Sequence, residues 1–302
     1  MRKTILESLR SELLSRTSFD TLPEAVWKGA SSLNTYGTNA IEGNTLTQAE
    51  VEAVLLDSKG VRKPISDILE TVQHERAFRN LIARRGRAID LVTVQELHEE
   101  VFKGVMMDAG QWRRTNVIIQ GAGFTPPRPE KIVPGMEELL AEYDRRDLEG
   151  EDPFTLGSWM HLGFEMIHPF SNGNGRVGRL LLNLHFLKHN WPPINVLPID
   201  RDRYLSVLQE GNRGDLNPLA SFAEVLMAGS LLSLLSQVGT SEDELRSLAE
   251  LQKGGTYSAK YLALRAKQGE LPAVRIKHEW RASERATRLY VKDVGRARTG
   301  QP

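Results

Sequence analysis

The sequence predicts an all-α protein whose helical body carries one β-hairpin, followed by a small separate C-terminal domain. Three observations lead there. Apolar residues recur at three-and-four spacing through most of the first 240 positions. Only one interval in that stretch, residues 113–129, reads as strand. Strands and helices never alternate, and no internal repeat or low-complexity segment is present.

The elements follow in order. Residues 65–85 and 91–106 have helical periodicity, as do 131–146, where Pro134 and Gly135 break the start. The 113–129 interval has a β-branched run, a Gly-Ala-Gly turn and a proline cluster, the pattern of an exposed hairpin. Asp152 caps a helix with Pro153 at its first position. That helix ends near Ile167, because Pro169 disfavours helical geometry at His168. Another begins around Arg176. A domain boundary falls near Thr240, with Ser241 as the next N-cap, giving domains 1–240 and 241–302. In the second, two short helices flank a turn at Gly254 and Gly255, and Gly269 stops the second of them. Residues 271–276 and 279–283 form a two-stranded wing around Lys277 and His278, and a last helix starts at Ser283.

Composition narrows the function. The 302 residues are 40% hydrophobic and 26% charged, with 39 basic and 39 acidic side chains, an ordinary globular balance. With no cysteine, a disulfide framework and a thiol nucleophile are excluded, which fits a cytoplasmic location. The N-terminal stretch has no apolar core of a secretory signal. Residues 219–239 approach membrane-spanning length, but Glu224, four serines and Gln237 mark a packed helix, so no membrane partner is expected. Charge is segregated: residues 253–302 hold 12 basic and 4 acidic side chains, the first 252 hold 27 and 35. Only the tail suits a polyanion.

The stretch HPFSNGNGRVGR, residues 168–179, concentrates chemistry. Its glycines let backbone N–H groups approach a ligand, and the following helix directs its positive end into the same space. Together they form an anion cradle. Arg176 and Arg179 are three apart, on one side of the first turn, and two guanidiniums suit a polyphosphate. His168 at the mouth can take a proton from an attacking hydroxyl. The constellation points to phosphate-group transfer from a nucleotide.

These twelve residues resemble the signature of the Fic family, HPFx(D/E)GNGRxxR, and the likeness extends over about 23–238. The resemblance implies a helical fold with a β-hairpin flap that holds a target peptide by backbone pairing. It implies transfer of AMP from ATP to a Ser, Thr or Tyr hydroxyl of a protein. His168 would be the general base. Gly173, Asn174 and Gly175 would line the phosphates, Arg176 and Arg179 would hold them, and Phe170 would anchor the loop in the core. Asn172 departs from the pattern: the usual acid helps hold Mg²⁺, and an amide supplies an oxygen without charge. Thr38, Glu42 and Gly43 match the family's inhibitory pattern, (S/T)xxxE(G/N), within a segment of about 23–47. The resemblance implies that Glu42 pairs with Arg179 and takes the place of the γ-phosphate.

The remaining histidines read as bystanders. His185 and His189 have helical metal spacing but no HExxH context. His161 packs or caps within the core, and His74 and His98 read as surface residues. The tail resembles an excisionase-type winged helix-turn-helix. There Lys260, Arg265 and Lys267 would face DNA, and Arg275, Lys277 and Arg281 would belong to the wing. The expected partners are therefore a protein with an acceptor hydroxyl, the chain itself included, and DNA or a docking protein at the tail. The assembly is open between monomer and homodimer. Two competing readings stand: a DNA-binding regulator whose body senses nucleotide without transfer, and transfer of another phosphate-bearing group or removal of AMP.

Overall fold

The computed structural model describes residues 3–119, 121–253, 256–276 and 279–299. In chain order the helices are α1 (Lys3–Arg16), α2 (Glu24–Ile41), α3 (Gln48–Leu55), α4 (Ile65–Arg84), α5 (Leu91–Phe102), α6 (Ile132–Leu148), α7 (Pro153–Ile167), α8 (Asn174–Lys188), α9 (Arg201–Asn212), α10 (Asn217–Val238), α11 (Leu248–Gln252), α12 (Ala259–Lys267) and α13 (Glu284–Thr299). The strands are β1 (Arg246–Ser247), β2 (Val274–Ile276) and β3 (Glu279–Ala282). The described residues are thus mostly helical with one small sheet.

By packing, the chain divides into Trp27–Phe222 and a second unit of Met1–Val26 with Ala223–Pro302. The boundary read from sequence at 240/241 lies inside that second unit. The N-terminal segment joins that unit through α1, which packs on α13 and buries Ile5, Leu6, Leu9 and Leu13. Its Glu12 lies 3.3 Å from Arg285, which also holds the buried Asp243 at 2.7 Å. Such sequence-distant pairing leaves no local signal.

In the larger unit α7 and α8 pack together, α4 and α5 lie against α8, and α6 covers α7. Helix α8 is buried on nearly all sides, its polar Asn174, Arg176, Arg179, Asn183 and His185 included. Asp152 caps α7 by accepting from Thr155 N at 2.9 Å, with Pro153 at the first position. Pro134 lies in the first turn of α6, where a missing N–H costs no ladder bond.

The expected hairpin differs. Among the described residues, 113–129 contains no strand. One turn is present, with Ala122 N donating to Ile119 O at 3.3 Å. Pro126, Pro127 and Pro129 have no N–H to donate, which opposes a continuous ladder on that arm.

In the smaller unit the expected wing is part of a three-stranded antiparallel sheet, ordered β1-β3-β2. The extra strand pairs Arg246 with Ala282 and Ser247 with Arg281. Thr240, not Ser241, caps the short 3-10 turn at Ser241–Asp243. Gly269, at φ +73°, follows α12 as expected. Gly254, Gly255, Lys277 and His278 lie outside the described residues. Helix α10 is long and apolar enough to cross a membrane by length and composition, and 56% of its apolar window is buried within the protein.

Candidate active site

Helix α7 ends as the sequence requires. His168 adopts a left-handed conformation, φ 52° and ψ 60°, and its N–H donates to Phe164 O. The chain then crosses to α8, entering through Gly173 at φ +77°. A Cβ on Gly173 would collide with the Phe102 ring, so both conformation and space demand glycine there. The first ladder bond of α8 runs from Val177 N to Gly173 O. The N–H groups of Asn174, Gly175 and Arg176 precede that ladder and form the free positive end of the helix.

The crossing loop is held by its carbonyls. Arg113 Nη2 donates to Ile167 O at 3.4 Å, and Arg113 Nε to His168 O at 2.8 Å. The Arg113 backbone N–H donates to Pro169 O at 2.9 Å. Asn174 brackets Phe170, its Oδ1 accepting from the Phe170 N–H and its Nδ2 donating to the Phe170 carbonyl, both at 2.9 Å. His98 Nε2 reaches Asn172 O at 3.2 Å, and its Nδ1 accepts from Gly110 N–H at 2.8 Å. That acceptor role fixes the tautomer: Nε2 carries the proton. The His98 ring stacks on Phe170 at 3.8 Å, and Trp112 flanks the other side.

A cavity of about 250 Å³ opens beside this loop. Its lining combines His168, Glu165, Glu42, Arg179 and Gly175 with the apolar Phe124, Leu162, Leu205 and Leu208. His168 Nδ1 lies 3.3 Å from the Glu165 carbonyl oxygen. A carbonyl only accepts, so Nδ1 carries hydrogen and the Nε2 lone pair is available. Burial pulls His168 below the ordinary imidazole range, which keeps it a neutral base near pH 7.

Arg179 is almost fully enclosed. Its Nη2 meets Glu42 Oε1 at 2.8 Å and Thr38 O at 3.2 Å, and its Nε donates to Thr38 Oγ1 at 2.6 Å. A Cβ on Gly175 would run into the Glu42 carboxylate, so that carboxylate sits over the first turn of α8. Burial pushes Glu42 up, but the charge of Arg179, helped by Arg176 and His168, outweighs it and holds the carboxyl below its usual range. Tyr204 lies beneath Arg179 and accepts or donates to His161 Nε2 at 2.7 Å. Behind His168, Glu165 is pushed up to about 8 by burial, only partly offset by Arg179.

The sequence-derived residues thus divide. The structure brings His168, Gly175, Arg179, Thr38 and Glu42 together. Gly43 follows α2 at φ +91°. Arg176 lies elsewhere: 4% exposed, it pairs with Glu70 at 2.6 Å and lies over the Phe102 ring. The three-residue spacing does not put both guanidiniums into one site, because α4 and α5 cover the Arg176 side. The Asn174 side chain is buried in the loop staple, leaving only its backbone N–H for an anion. Asn172 Oδ1 accepts from Gly173 N–H at 2.7 Å.

His74 and His98 were expected at the surface and are fully buried. His74 Nδ1 bonds Thr35 Oγ1 at 3.0 Å. Both of their helices bury the face that looked polar, since each imidazole meets a specific partner. His185 has both nitrogens engaged, with Tyr143 OH and Pro153 O. Among the described residues no group of three or more His, Asp or Glu is placed to hold a metal. Arg113, His98 and Tyr204 were missed. Arg113 stands beside Arg114 in an interval that reads as exposed, with no periodicity to mark which of the two is buried.

Residues 88–186 match the Fic/DOC family. The chain is 29% identical over 220 residues to protein adenylyltransferase fic-1 of Caenorhabditis elegans, covering 70% of this chain and 43% of that protein. It is 31% identical over 196 residues to protein adenylyltransferase Fic of Drosophila yakuba, covering 62% and 38%. The chain therefore spans less than half the length of these curated relatives. Among solved structures, Fic-1 of C. elegans superposes with a TM-score of 0.67 at 26% identity, covering 78% of this chain and 71% of that one. A Fic domain containing signaling protein of Bacteroides thetaiotaomicron superposes at 0.68, with 22% identity over 78% and 99% of the two chains. The latter likeness concerns the fold alone.

Proposed function

We propose, from the premise that residues 88–186 form a Fic/DOC-type domain, that this chain is a protein adenylyltransferase held in check by Glu42. It transfers AMP from ATP to a hydroxyl of a protein side chain. The observation that carries the reading is the cavity joining His168, with its free Nε2, to Arg179 covered by Glu42 and Thr38.

In this mechanism ATP lies with its phosphates over the free N–H groups of residues 174–176, where the helix dipole stabilises negative charge. The acceptor hydroxyl oxygen attacks the α-phosphorus while His168 Nε2 takes its proton. The bond from the α-phosphorus to the bridging oxygen breaks, and pyrophosphate leaves. Arg179 holds the outer phosphates and so aligns the leaving group opposite the attacking oxygen. Glu42 occupies the face of Arg179 that this alignment needs, so the resting chain binds nucleotide out of line. The loop does not fit a resident metal: no carboxylate stands at Asn172, and its amide oxygen is turned onto Gly173 N–H. Mg²⁺ enters this account only as part of the MgATP substrate. The test is incubation with α-labelled ATP, with and without Glu42→Gly, following label in protein.

For residues 241–302 we infer a winged helix-turn-helix. Helices α11 and α12 followed by β2, β3 and α13 support it. Arg265 and Arg281 pair with Glu270 and Glu279, whereas Lys260, Lys267 and Arg275 are exposed. Among the described residues a DNA partner would thus meet Lys260, Lys267 and Arg275 as exposed cations, and the slope of its salt dependence would count the phosphates they neutralise. Titration of a DNA duplex against salt distinguishes this from a protein-docking role, which would show no duplex binding.

A further inference from the structure

Arg113 is 3% exposed, yet none of its bonds goes to a carboxylate. Its guanidinium donates to four backbone carbonyls: Nε to His168 O at 2.8 Å, Nη1 to Thr115 O at 2.8 Å, Nη2 to Pro127 O at 2.6 Å, and Nη2 to Ile167 O at 3.4 Å. Its own N–H adds a fifth bond, to Pro169 O. Thr115 and Pro127 belong to opposite arms of the 113–129 segment. Ile167, His168 and Pro169 carry the imidazole. One planar fork therefore ties both arms to the backbone of the base. Burying a guanidinium without a counter-charge is costly, and here four carbonyl bonds are what offset that cost.

We propose that Arg113 is a positioning residue for the transfer reaction, fixing the segment on which the acceptor chain is laid in register with His168. This rests on the adenylyltransferase reading. Among the described residues the 113–129 segment has no strand ladder of its own, so its two arms need an external tie. The fork supplies one and also points the 167–169 carbonyls at Arg113. The 174–176 N–H groups are thereby left without a competing oxygen from that part of the loop. Lysine cannot replace it, because a single ammonium cannot span four carbonyls in one plane.

The experiment compares Arg113→Ala and Arg113→Lys in the full chain carrying Glu42→Gly, with α-labelled ATP and self-labelling as the readout. Folding is checked by thermal melting, and ATP binding by titration. Both variants are expected to label at least about tenfold more slowly, the scale of a lost positioning contact, with ATP affinity within about twofold. Methylguanidinium should restore part of the rate to Arg113→Ala and none to His168→Ala. Independently of activity, hydrogen exchange should rise in peptides covering 109–119 and 164–171 of both variants. If Arg113→Lys labels and exchanges like its parent, the fork geometry is irrelevant and the proposal fails. If Glu42→Gly itself labels nothing, the transferase reading fails, and exchange alone decides whether Arg113 ties the two segments. Unchanged exchange in the folded Ala variant overturns the tie whatever the activity.

Discussion

Glu42 Oε1 lies 2.8 Å from Arg179 Nη2 across 137 residues of sequence, and the same carboxylate fills the space beside Gly175 at the start of α8. One side chain thus neutralises the cavity's buried guanidinium and blocks the approach to the helix N-terminus. On the proposed reading a ligand phosphate would compete for both positions at once, and Glu42 would act as a brake on the productive pose.

The base is tested by His168→Ala. Label transfer is expected to fall by on the order of 10² to 10⁴, with nucleotide binding retained, since on this reading the imidazole would face the attacking hydroxyl. Binding by calorimetry and transfer by label incorporation separate the two effects. A variant that transfers at the parental rate removes His168 from the chemistry.

His98 is expected to matter for stability and loop order. His98→Ala removes its bonds to Gly110 N–H and Asn172 O and its stacking on Phe170. A loss of about 2–4 kcal/mol follows from one buried cavity and an orphaned N–H. Denaturant unfolding measures it. His98→Gln, which keeps a donor and an acceptor, should recover part, and equal losses for the two variants would contradict the bonding account.

Legibility in the sequence followed locality. The end of α7 at His168 is set by its neighbour Pro169, and the Asp152 cap by Pro153, so both could be read directly. Gly173 and the Thr38–Glu42 spacing were also visible as patterns. The pairing of Arg176 with Glu70 spans 106 residues, and nothing near Arg176 announces it. His98 looked like a surface histidine because its helix carries glutamates on both sides, while its own face meets Phe170. The hairpin was overread: β-branched residues marked extended chain, but the prolines removed the donors that a ladder requires.

Glu70 gives a contrast with Glu42. Arg176 is buried under Phe102, so Glu70→Ala leaves a nearly enclosed guanidinium unpaired. We expect destabilisation of about 1–4 kcal/mol, below the full buried-pair cost because Glu70 is 18% exposed. Transfer should not rise. If instead Glu70→Ala accelerates labelling as Glu42→Gly does, Arg176 is a phosphate ligand waiting to be released.

Glu165 makes a pH prediction. Its carboxyl is raised to about 8 in the folded chain, against about 4.3 unfolded. A raised carboxyl binds a proton more tightly when folded, so its contribution favours folding below the unfolded value and is lost as pH climbs toward 8. Glu165→Gln keeps the neutral form at every pH. Its melting temperature relative to the parent should therefore rise between pH 5 and pH 8, and a flat difference across that window would show Glu165 ionised throughout.

The most direct test of the central claim compares label transfer from α-labelled ATP by the parent chain and by Glu42→Gly at saturating nucleotide, with His168→Ala as the blank. Freeing Arg179 should raise the rate at least about tenfold, or about 1.4 kcal/mol in barrier, and Arg179→Ala should abolish transfer in both backgrounds. Equal rates for Glu42→Gly and the parent, both above the blank, would show that Glu42 restrains nothing.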